Sequence, residues 1–278
     1  MQLSIIHLTY NRIRNLKACL ERFRLNTQEN VDFEVVILNG GSTDGTTEYL
    51  NSLIQTEKVL KIKHIYVPFR KWTNPSLPRN IATINSDGKI LLYTDGDHVL
   101  SERAVYYSVQ PFEQNGYDAK IVNRVTTWDS NTSSKFPPQK ANEIILKFIN
   151  RPIIELYCVL GMDIRQNNDR QFWCYAVPRQ AIIDIGGHYE GFTGEWARDE
   201  NAPQVMLQHK GYKFCYSYYD RLLCIHLCHE IDKMGGRNSQ RNHQIFMSKR
   251  QDIDAWIEEN KEEIWGVMPD GSYIEVNF

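Results

Sequence analysis

The sequence predicts an α/β fold built on a mostly parallel sheet. Over the first hundred residues, short apolar runs alternate with segments of helical spacing, and polar or glycine-containing turns follow the runs. Strands that alternate with helices of about 10–15 residues imply right-handed β-α-β crossovers and therefore parallel strands. At 278 residues and 42% hydrophobic composition, the chain can form one large domain, or one domain with a smaller appendage.

The regular part of the pattern is the first hundred residues. Four strands are predicted, at Leu3–Leu8, Phe33–Leu38, Ile62–Val67 and Lys89–Thr94. Helical spacing predicts connecting helices that include Leu16–Phe23, Tyr49–Leu53 and Pro78–Ile84. Ser42 or Asp44 is expected to cap the second of these helices, because both side chains accept hydrogen bonds from helix amides.

After Asp97 the pattern is less regular. We expect further strands at Ala119–Asn123, Phe172–Val177, Lys213–Ser217 and Leu222–Leu227. Helices are expected at 101–115, Arg179–Ile185, Asp199–His209 and, as one amphipathic segment, Gln240–Asn260. The stretch Thr126–Pro138 is rich in Ser, Thr, Asn and Pro, which indicates a loop.

The composition argues against several classes of protein. A net charge of −2 provides no field that would attract nucleic acid. No apolar run approaches the roughly 18 residues that a transmembrane helix needs, although peripheral membrane association remains compatible with the sequence. No secretion signal is recognisable, so we expect a cytoplasmic protein whose six cysteines are reduced thiols.

Two carboxylates separated by one glycine follow the fourth predicted strand, as Asp95-Gly96-Asp97. The carboxyl ends of parallel strands are where ligands bind in open α/β sheets. Paired acidic side chains there suit a hard divalent cation, which takes oxygen ligands and in turn holds phosphates. The glycine allows a sharp turn and a close approach of the ligand to the backbone.

Four sequence motifs follow one another next to the ends of the predicted strands. They are Thr9-Tyr10-Asn11-Arg12 after the first strand, Asn39-Gly40-Gly41-Ser42-Thr43-Asp44-Gly45-Thr46 after the second, Pro78-Arg79-Asn80-Ile81-Ala82 before the fourth, and Asp95-Gly96-Asp97 after the fourth. The series resembles the GT-A glycosyltransferases of family 2, over about residues 1–230. The resemblance implies a GT-A fold, with a Rossmann-like, mostly parallel nucleotide-binding sheet, helices on both faces and an acceptor-side C-terminal portion. It further implies a nucleotide-sugar-binding half at 1–123, an acceptor-binding and catalytic half of the same GT-A domain at 124–235, and a C-terminal helical extension at 236–278.

The resemblance assigns donor-binding roles to the strand-end residues. It implies that Thr9, Tyr10, Asn11 and Arg12 line the nucleoside pocket, with Tyr10 near the base, and that Arg79 faces the nucleotide. Asp97 would bind Mn²⁺ or Mg²⁺, and Asp95, next to Gly96, would contact the ribose or reach the metal through water. The sequence departs from the family pattern at Asn39 and Gly40, where two acidic residues are usual. Asn39 can still hydrogen-bond a base through its amide.

The resemblance also implies a catalytic base at Asp199-Glu200. The acidic pair stands about twelve residues before Gly211-Tyr212, but its order is reversed relative to the family pattern, so either carboxylate could remove the proton of an acceptor hydroxyl. Glu195 is a third candidate. A metal-binding histidine is expected downstream of the pair, with His229 favoured over His226. The remaining histidines receive no role.

The expected function is that of a metal-dependent, inverting glycosyltransferase that moves a sugar from a nucleotide-diphosphate donor, UDP-linked by preference, to a hydroxyl acceptor of a glycan or related molecule. One alternative is a sugar-phosphate nucleotidyltransferase, although no glycine follows the first strand within Leu8–Arg12 as that class usually requires. A second is a nucleotide-sugar-binding protein with a decayed site. An oxidoreductase is disfavoured, because no G-x-G-x-x-G follows any predicted strand.

Overall fold

The fold is known from a computed structural model. It describes residues 1–28, 30–67, 74–114, 116, 118–121, 123–126, 136–161, 172, 174–192, 198–216, 222–228, 239–262 and 275–277. Among them the strands are β1 Leu3–Thr9, β2 Phe33–Asn39, β3 Lys61–Tyr66, β4 Ile90–Asp95, β5 His98–Leu100, β6 Ala119–Ile121, β7 Asn123–Thr126, β8 Tyr175–Pro178, β9 Phe214–Tyr216, β10 Leu223–His226 and β11 Glu275–Asn277. The helices are α1 Ile13–Leu25, α2 Thr46–Thr56, α3 Ser76–Ile84, α4 Ala104–Gln114, α5 Pro138–Lys147, α6 Ile153–Leu160, α7 Arg179–Asp184, α8 Asn201–His209, α9 Ser239–Lys249 and α10 Ile253–Glu262.

Eight strands form the central sheet, in the order β11-β3-β2-β1-β4-β8-β6-β9. The strands β3, β2, β1 and β4 are parallel, whereas β8 runs antiparallel to β4 and β6. Because β1 lies between β2 and β4, the chain direction across the sheet reverses at β1. Such a switch point leaves a crevice at the carboxyl ends of the strands.

Side chains alternate in direction along each strand, so the apolar core lies on both faces of the sheet. Ile6, Val36 and Leu91 pack on one face, together with residues of α3, α7, α8, α9 and α10. Leu3, Ile5 and Leu92 pack on the other, with residues of α1, α2 and α4. These strands are apolar on both faces, as expected of parallel strands that are covered by helices on each side.

A three-stranded sheet lies beside the central one, in the order β5-β10-β7. The β10 strand runs antiparallel to β5 and parallel to β7. A third apolar cluster covers this small sheet and includes residues of α5 and α6. The small sheet matters for the site, since β5 begins directly after Asp97.

The predicted α/β class with a mostly parallel sheet is confirmed, and the first four strands lie within one residue of the predicted bounds. Asp44, one of the two expected caps, accepts a hydrogen bond from the amide of Thr46 at the start of α2 (3.1 Å). Ser42 is bonded elsewhere, as described below.

Later elements differ from the prediction. The single strand expected at Ala119–Asn123 is divided between two sheets, as β6 and β7, and the strand expected from Phe172 begins at Tyr175. The helix expected over Gln240–Asn260 is two helices, α9 and α10, that are separated at residues 250–252. At the break, Oδ1 of Asp252 accepts the amide of Ala255 (3.0 Å), a hydrogen bond that caps the start of α10.

The two chain segments expected to be halves of one GT-A domain both contribute strands to the central sheet. Strands β8 and β9 lie beyond residue 123, yet they flank β6 in the central sheet. The segment expected to be a helical extension also adds β11 to the sheet edge, antiparallel to β3. Within the described ranges, no helix combines the length and apolarity needed to cross a membrane.

Candidate active site at the carboxyl edge of the sheet

The carboxyl ends of the central strands bring several of the predicted site residues together. Thr9 is in register with Asn39 on β2, and Leu8 is in register with Asp95 on β4. The carbonyl of Thr9 accepts the amide of Gly40 at 3.0 Å, which ties the ends of β1 and β2. Thr9, Asn39 and Asp95 therefore lie along one edge, at the switch point of the sheet.

The Asp95-Gly96-Asp97 turn passes directly over the end of β1. A Cβ atom on Gly96 would lie 2.6 Å from the carbonyl oxygen of Leu8, so the close approach requires glycine. The two carboxylates differ in exposure, since the Asp97 side chain is 1% exposed and that of Asp95 is 29% exposed. Asp97 is the buried acid of the pair, and Asp95 is the accessible one.

Asp97 lies against two histidines and an arginine. Its Oδ1 is 3.2 Å from Nε2 of His226 and 3.9 Å from Nε2 of His98, and its Oδ2 is paired with the guanidinium of Arg12. The pairing of β5 with β10 sets His98 opposite His226, with ring centroids 5.0 Å apart. Nδ1 of His98 accepts the amide of Asp95 (3.2 Å), which fixes the orientation of the ring.

These three side chains fit a divalent cation. Asp97, His98 and His226 each offer one ligand atom, and the three atoms lie within 4.8 Å of one another. A carboxylate with neutral imidazoles is a donor set that suits Mn²⁺, whereas Mg²⁺ prefers oxygen ligands. The donor set therefore favours Mn²⁺ of the two predicted cations.

A second group of possible ligands, His98 with Cys174 and Cys224, is less suitable. Both thiols are completely buried within the apolar core. Burial and the neighbouring Cys224 raise the pKa of Cys174 well above its ordinary value. A protonated thiol is a poor metal ligand, so Cys174 is better described as a small apolar core residue, and Cys224 packs in the same apolar cluster.

Arg79 joins the strand edge to the acidic pair. Its Nη1 donates to Oδ2 of Asp199 at 2.7 Å, and its Nη2 lies 3.3 Å from Oδ1 of Asp95 and 3.2 Å from Oε1 of Glu200. The Arg79 side chain is only 3% exposed. Asp199 and Glu200 therefore lie at the same cleft as the Asp95-Gly96-Asp97 turn (the DGD turn), although they are more than 100 residues away in sequence.

The acidic pair is presented at the start of α8. Glu200 occupies the N-cap position, and the carbonyl of Arg198 accepts the amide of Ala202 at 2.9 Å. Arg198 has a left-handed backbone with φ of 74°, an uncommon conformation for a residue with a side chain. Carboxylates are favoured at this position, because the helix N-terminus carries partial positive charge.

The charges of this cluster stabilise one another. Burial opposes the charged form of Arg79, but the carboxylates of Asp95, Asp199 and Glu200 outweigh it and raise the pKa of Arg79. Partial desolvation likewise opposes ionisation of Asp95, although its side chain is 29% exposed, and the Arg79 guanidinium more than offsets it, so the pKa of Asp95 lies below its usual range. Both groups are therefore charged at neutral pH.

The turns after β1 and β2 are bonded to each other. The amide of Asn11 donates to Oγ of Ser42 (2.9 Å), and Oδ1 of Asn11 accepts the amide of Thr43 (2.7 Å). Asn11 has a left-handed φ of 49° and does not cap α1. Instead Oδ2 of Asp44 accepts the amide of Ile13 at 2.9 Å, so Asp44 serves the first turns of both α1 and α2.

The side chain of Asn39 makes hydrogen bonds within its own turn. The side chain is buried, Oδ1 accepts the amide of Ser42 (3.0 Å), and Nδ2 donates to Oγ1 of Thr47 (2.8 Å). Both amide atoms of Asn39 thus make hydrogen bonds within the turn, and the expected contact of Asn39 with a nucleobase stays a prediction. Asn39 thus shapes this wall of the cleft, and half-buried Tyr10 lies beside it in the paired turn.

Some predicted residues lie outside the described part of the chain, namely Glu195 and His229. The structure brings His226, the less favoured histidine, to Asp97, together with His98, which had received no role. The pairing of His98 with His226 depends on a three-residue strand. The only sequence signal for His98 was its position directly after Asp97.

The glycosyl transferase family 2 model matches residues 4–164, which is more than half of the chain. The chain belongs to this family. The match covers the DGD turn, Arg79 and the turns after β1 and β2, so the predicted resemblance and fold are confirmed.

The curated relatives match only part of this chain. An uncharacterized glycosyltransferase of Rickettsia felis is 28% identical over 116 residues, which are 42% of this family 2 chain and 18% of the relative. One of Rickettsia bellii is 30% identical over 116 residues, 42% of this chain and 16% of the relative. The matched stretch thus covers less than a fifth of the length of each of these relatives.

Solved structures support the fold. The mannosyltransferase PcManGT from Pyrobaculum calidifontis, in complex with GDP-Man and Mn²⁺, has a TM-score of 0.60 at 15% identity and covers 94% of this chain and 69% of that one. TarS 1–349 of S. aureus, in complex with UDP-GlcNAc, has a TM-score of 0.57 at 14% identity and covers 84% of this chain and 60% of that one. At identities of 14% and 15%, these similarities concern the fold alone.

Proposed function

We propose that the chain is a metal-dependent, inverting glycosyltransferase that transfers a sugar from a nucleotide-diphosphate donor to a hydroxyl acceptor of a glycan or related molecule. The observation that carries the proposal is the position of Arg79. Its guanidinium contacts Asp95 at the strand edge and Asp199 and Glu200 at the start of α8. A donor-binding edge and a pair of candidate bases therefore belong to one cleft.

The charge of the cleft supports the use of a divalent cation. Asp95, Asp97, Asp199 and Glu200 supply four negative charges, while Arg12 and Arg79 supply two positive ones. Two negative charges remain among these described side chains, and one divalent cation would neutralise them. Asp97 would hold this cation with His226 and His98, and Arg12 beside Asp97 would face the diphosphate. A bound cation would act as a Lewis acid toward the leaving diphosphate.

The proposed reaction is a single displacement. One carboxylate of the Asp199-Glu200 pair accepts the proton of the acceptor hydroxyl. The hydroxyl oxygen forms a bond to the anomeric carbon, while the bond from that carbon to the diphosphate oxygen breaks and its electron pair leaves with the diphosphate. Asp199 and Glu200 are both buried, which would limit the access of competing water to the two carboxylates.

The donor is proposed to be UDP-linked, which follows the family resemblance and the UDP-GlcNAc bound to TarS. The GDP-Man and Mn²⁺ bound to PcManGT make a GDP-linked sugar the second candidate. Tyr10, Asn11 and the turn held by Asn39 would form the nucleoside wall in either case.

Release of nucleoside diphosphate from UDP-GlcNAc and from GDP-mannose tests the proposal, with Mn²⁺, Mg²⁺ or EDTA present. We expect nucleoside diphosphate to be released from one of the two donors, and only when the cation is present. Asp97→Asn should lower the rate by about 100-fold or more, because a metal contributes several kcal/mol of charge stabilisation. The same donor should raise the melting temperature only when the cation is present, since a ligand that binds the folded state stabilises it.

Asp87→Asn is the matched control, because Asp87 is 66% exposed and pairs with Lys63 near the start of β4, away from the cleft. This variant should behave as the parent does. Binding of a donor without any release of diphosphate would favour the alternative of a decayed nucleotide-sugar-binding protein. If no donor and cation together alter the melting temperature, the transferase proposal fails.

A further inference from the structure

A buried histidine lies behind the proposed nucleoside wall and has no part in the proposed chemistry. His64 on β3 is completely buried, and its two ring nitrogens lie between two asparagine side chains. Nε2 is 3.4 Å from Nδ2 of Asn39 at the end of β2, and Nδ1 is 3.1 Å from Oδ1 of Asn51 on α2. His64 therefore connects the strand that precedes the turn with the helix that follows it.

The orientation of the Asn39 amide is fixed by two other contacts. Its oxygen must face Ser42, because the backbone amide of Ser42 can only donate (3.0 Å). The hydroxyl of Thr47 donates to the carbonyl of Ser42 (3.1 Å), so it can only accept from Asn39, and it lies 2.8 Å from Nδ2. Because the Nδ2 group is a donor, the ring nitrogen of His64 that faces it has to be an acceptor.

This orientation decides which nitrogen of His64 carries the proton. A hydrogen on Nε2 would set two donors against each other in the interior of the protein, which is costly. Nε2 therefore carries a lone pair, and the ring is neutral with its proton on Nδ1, where Oδ1 of Asn51 accepts it. The Nδ1–H tautomer is the less common form of histidine in water, so its presence would be diagnostic.

The contacts continue from Asn39 into the wall itself. The amide of Ser42 is held by Asn39, and the carbonyl of Ser42 is held by Thr47, which Asn39 also contacts. Oγ of Ser42 accepts the amide of Asn11 at 2.9 Å, which joins the turn after β2 to the turn after β1. A displaced Asn39 side chain would consequently move both turns that form the wall.

We propose that His64 is a positioning residue for the nucleotide: as the neutral Nδ1–H tautomer it holds Asn39, and through Asn39 the turn that contains Ser42. The proposal rests on the proposed function, which assigns the nucleoside wall. It also gives a reason for asparagine at a position where the family pattern has an acid. A carboxylate beside Nε2 would favour the charged imidazole, whereas the amide of Asn39 pairs with the neutral one.

The tautomer can be measured without any ligand. Long-range proton–nitrogen NMR correlations of the isotope-labelled protein distinguish the two tautomers, and the signal that His64→Gln removes belongs to His64. We expect the Nδ1–H form near pH 7, and the Nε2–H form would overturn the proposal. In Asn39→Asp we expect a proton on both nitrogens near pH 7, because the carboxylate favours the imidazolium. An unchanged ring in that variant would show that the two residues are not coupled, which would also overturn the proposal.

Nucleotide binding tests the positioning role, with UDP and GDP as probes in the presence of Mn²⁺. For the nucleotide that the parent binds, His64→Leu should weaken Kd by about tenfold, because Asn39 loses a buried acceptor. His64→Gln should stay within about threefold of the parent, since the glutamine oxygen can accept from Asn39 in place of Nε2. With the matching donor, UDP-GlcNAc or GDP-mannose, His64→Leu should raise KM and leave kcat within about threefold. A Kd unchanged in His64→Leu, or a fall in kcat alone, would overturn the proposal.

His7→Leu is the matched control. His7 is also completely buried on a parallel strand of the same sheet, but neither of its ring nitrogens has a hydrogen-bond partner within the described ranges. This variant should keep the nucleotide Kd of the parent. If His64→Leu does not fold, the tautomer of the parent and of Asn39→Asp still decides the proposal. A parent that binds neither UDP nor GDP would refute the proposed function, whereas a wrong tautomer would refute only the role of His64, so the two failures are distinguishable.

Discussion

At the scale of single residues, His7 is a buried imidazole that the proposed chemistry does not use. It lies on β1, is completely buried, and packs edge to face on Phe23 with ring centroids 5.5 Å apart. Neither ring nitrogen has a hydrogen-bond partner within the described part of the chain. Burial is the main cause that lowers the pKa of His7 from 6.5 to about 4, although Asp95 and Asp97 oppose the shift.

The lowered pKa of His7 makes stability depend on pH. Between pH 6.5 and about pH 4 the unfolded chain binds a proton at His7 while the folded protein does not. Stability is therefore lost as the pH falls through this window. The contribution lost between pH 7 and pH 5 is about 2 kcal/mol for one such group.

His7→Leu should remove this part of the acid sensitivity. Leucine has a similar volume, fits the apolar surroundings and does not titrate. Urea unfolding at pH 7 and pH 5 should give a smaller difference in unfolding free energy than in the parent, by about 2 kcal/mol. His243→Leu is the control, because His243 is exposed in the folded protein. An unchanged pH dependence in His7→Leu would mean that His7 titrates normally.

At the scale of elements, the DGD turn depends on its contact with β1. The carbonyl oxygen of Leu8 leaves no space for a side chain on Gly96. The backbone of the turn also sets the directions of two side chains, those of Asp95 and Asp97, which contact Arg79 and Arg12 respectively. A displaced turn would consequently disturb both the cation ligands and the acidic cluster.

Gly96→Ala should therefore lower both the free energy of unfolding and the affinity for Mn²⁺ and UDP. The 2.6 Å contact with backbone must be relieved by a shift of the turn, at a cost of about 1–3 kcal/mol, typical of overpacking. Urea unfolding measures this loss, and titration with Mn²⁺ and UDP should give weaker binding. In Gly116→Ala the added Cβ meets nothing within 4 Å, so only the strain of its left-handed backbone remains, about 1–2 kcal/mol. Equal binding in parent and Gly96→Ala would contradict the role given to the turn.

Sequence reasoning succeeded where elements are long and regular. The runs that became β1, β2 and β4 are apolar on both faces, and the motifs at their ends lie at one edge of the sheet as predicted. It did not find β5, because a three-residue strand carries too few positions for a period. The break at Asp252 was missed because apolar spacing continues from Phe246 to Trp256 across it, although an N-cap residue was present.

Contacts between remote segments could not be predicted in the same way. Arg79 meets Asp199 across 120 residues, and the motif pattern indicated only that both belong to the site. Which nitrogen contacts which acid follows from the packing of α3 against the start of α8, and no local pattern encodes that packing.

At the scale of the whole molecule, the C-terminal helices form part of the central core. Trp256 of α10 is 1% exposed and packs edge to face on Tyr189, Phe192 and Phe246. Nδ2 of Asn260 donates to the carbonyls of Ile185 and Gly187 at 2.9 and 3.1 Å. Residues 185–192 thus pack on α10, in the same apolar cluster as the first turn of α8.

Trp256→Ala tests whether this packing is integral to the fold. Removal of a buried tryptophan side chain should lower the free energy of unfolding by about 3–5 kcal/mol, since the aromatic cluster cannot collapse to fill the space. Met247→Ala is the control, because Met247 on α9 is 45% exposed and its loss should cost no more than about 0.5 kcal/mol. One cooperative transition in urea is expected for both variants, because the cluster that holds Trp256 also holds Ile6 and Leu91 of the central sheet. If Trp256→Ala instead gave an early transition followed by one at the parental midpoint, α9 and α10 would be an independent appendage.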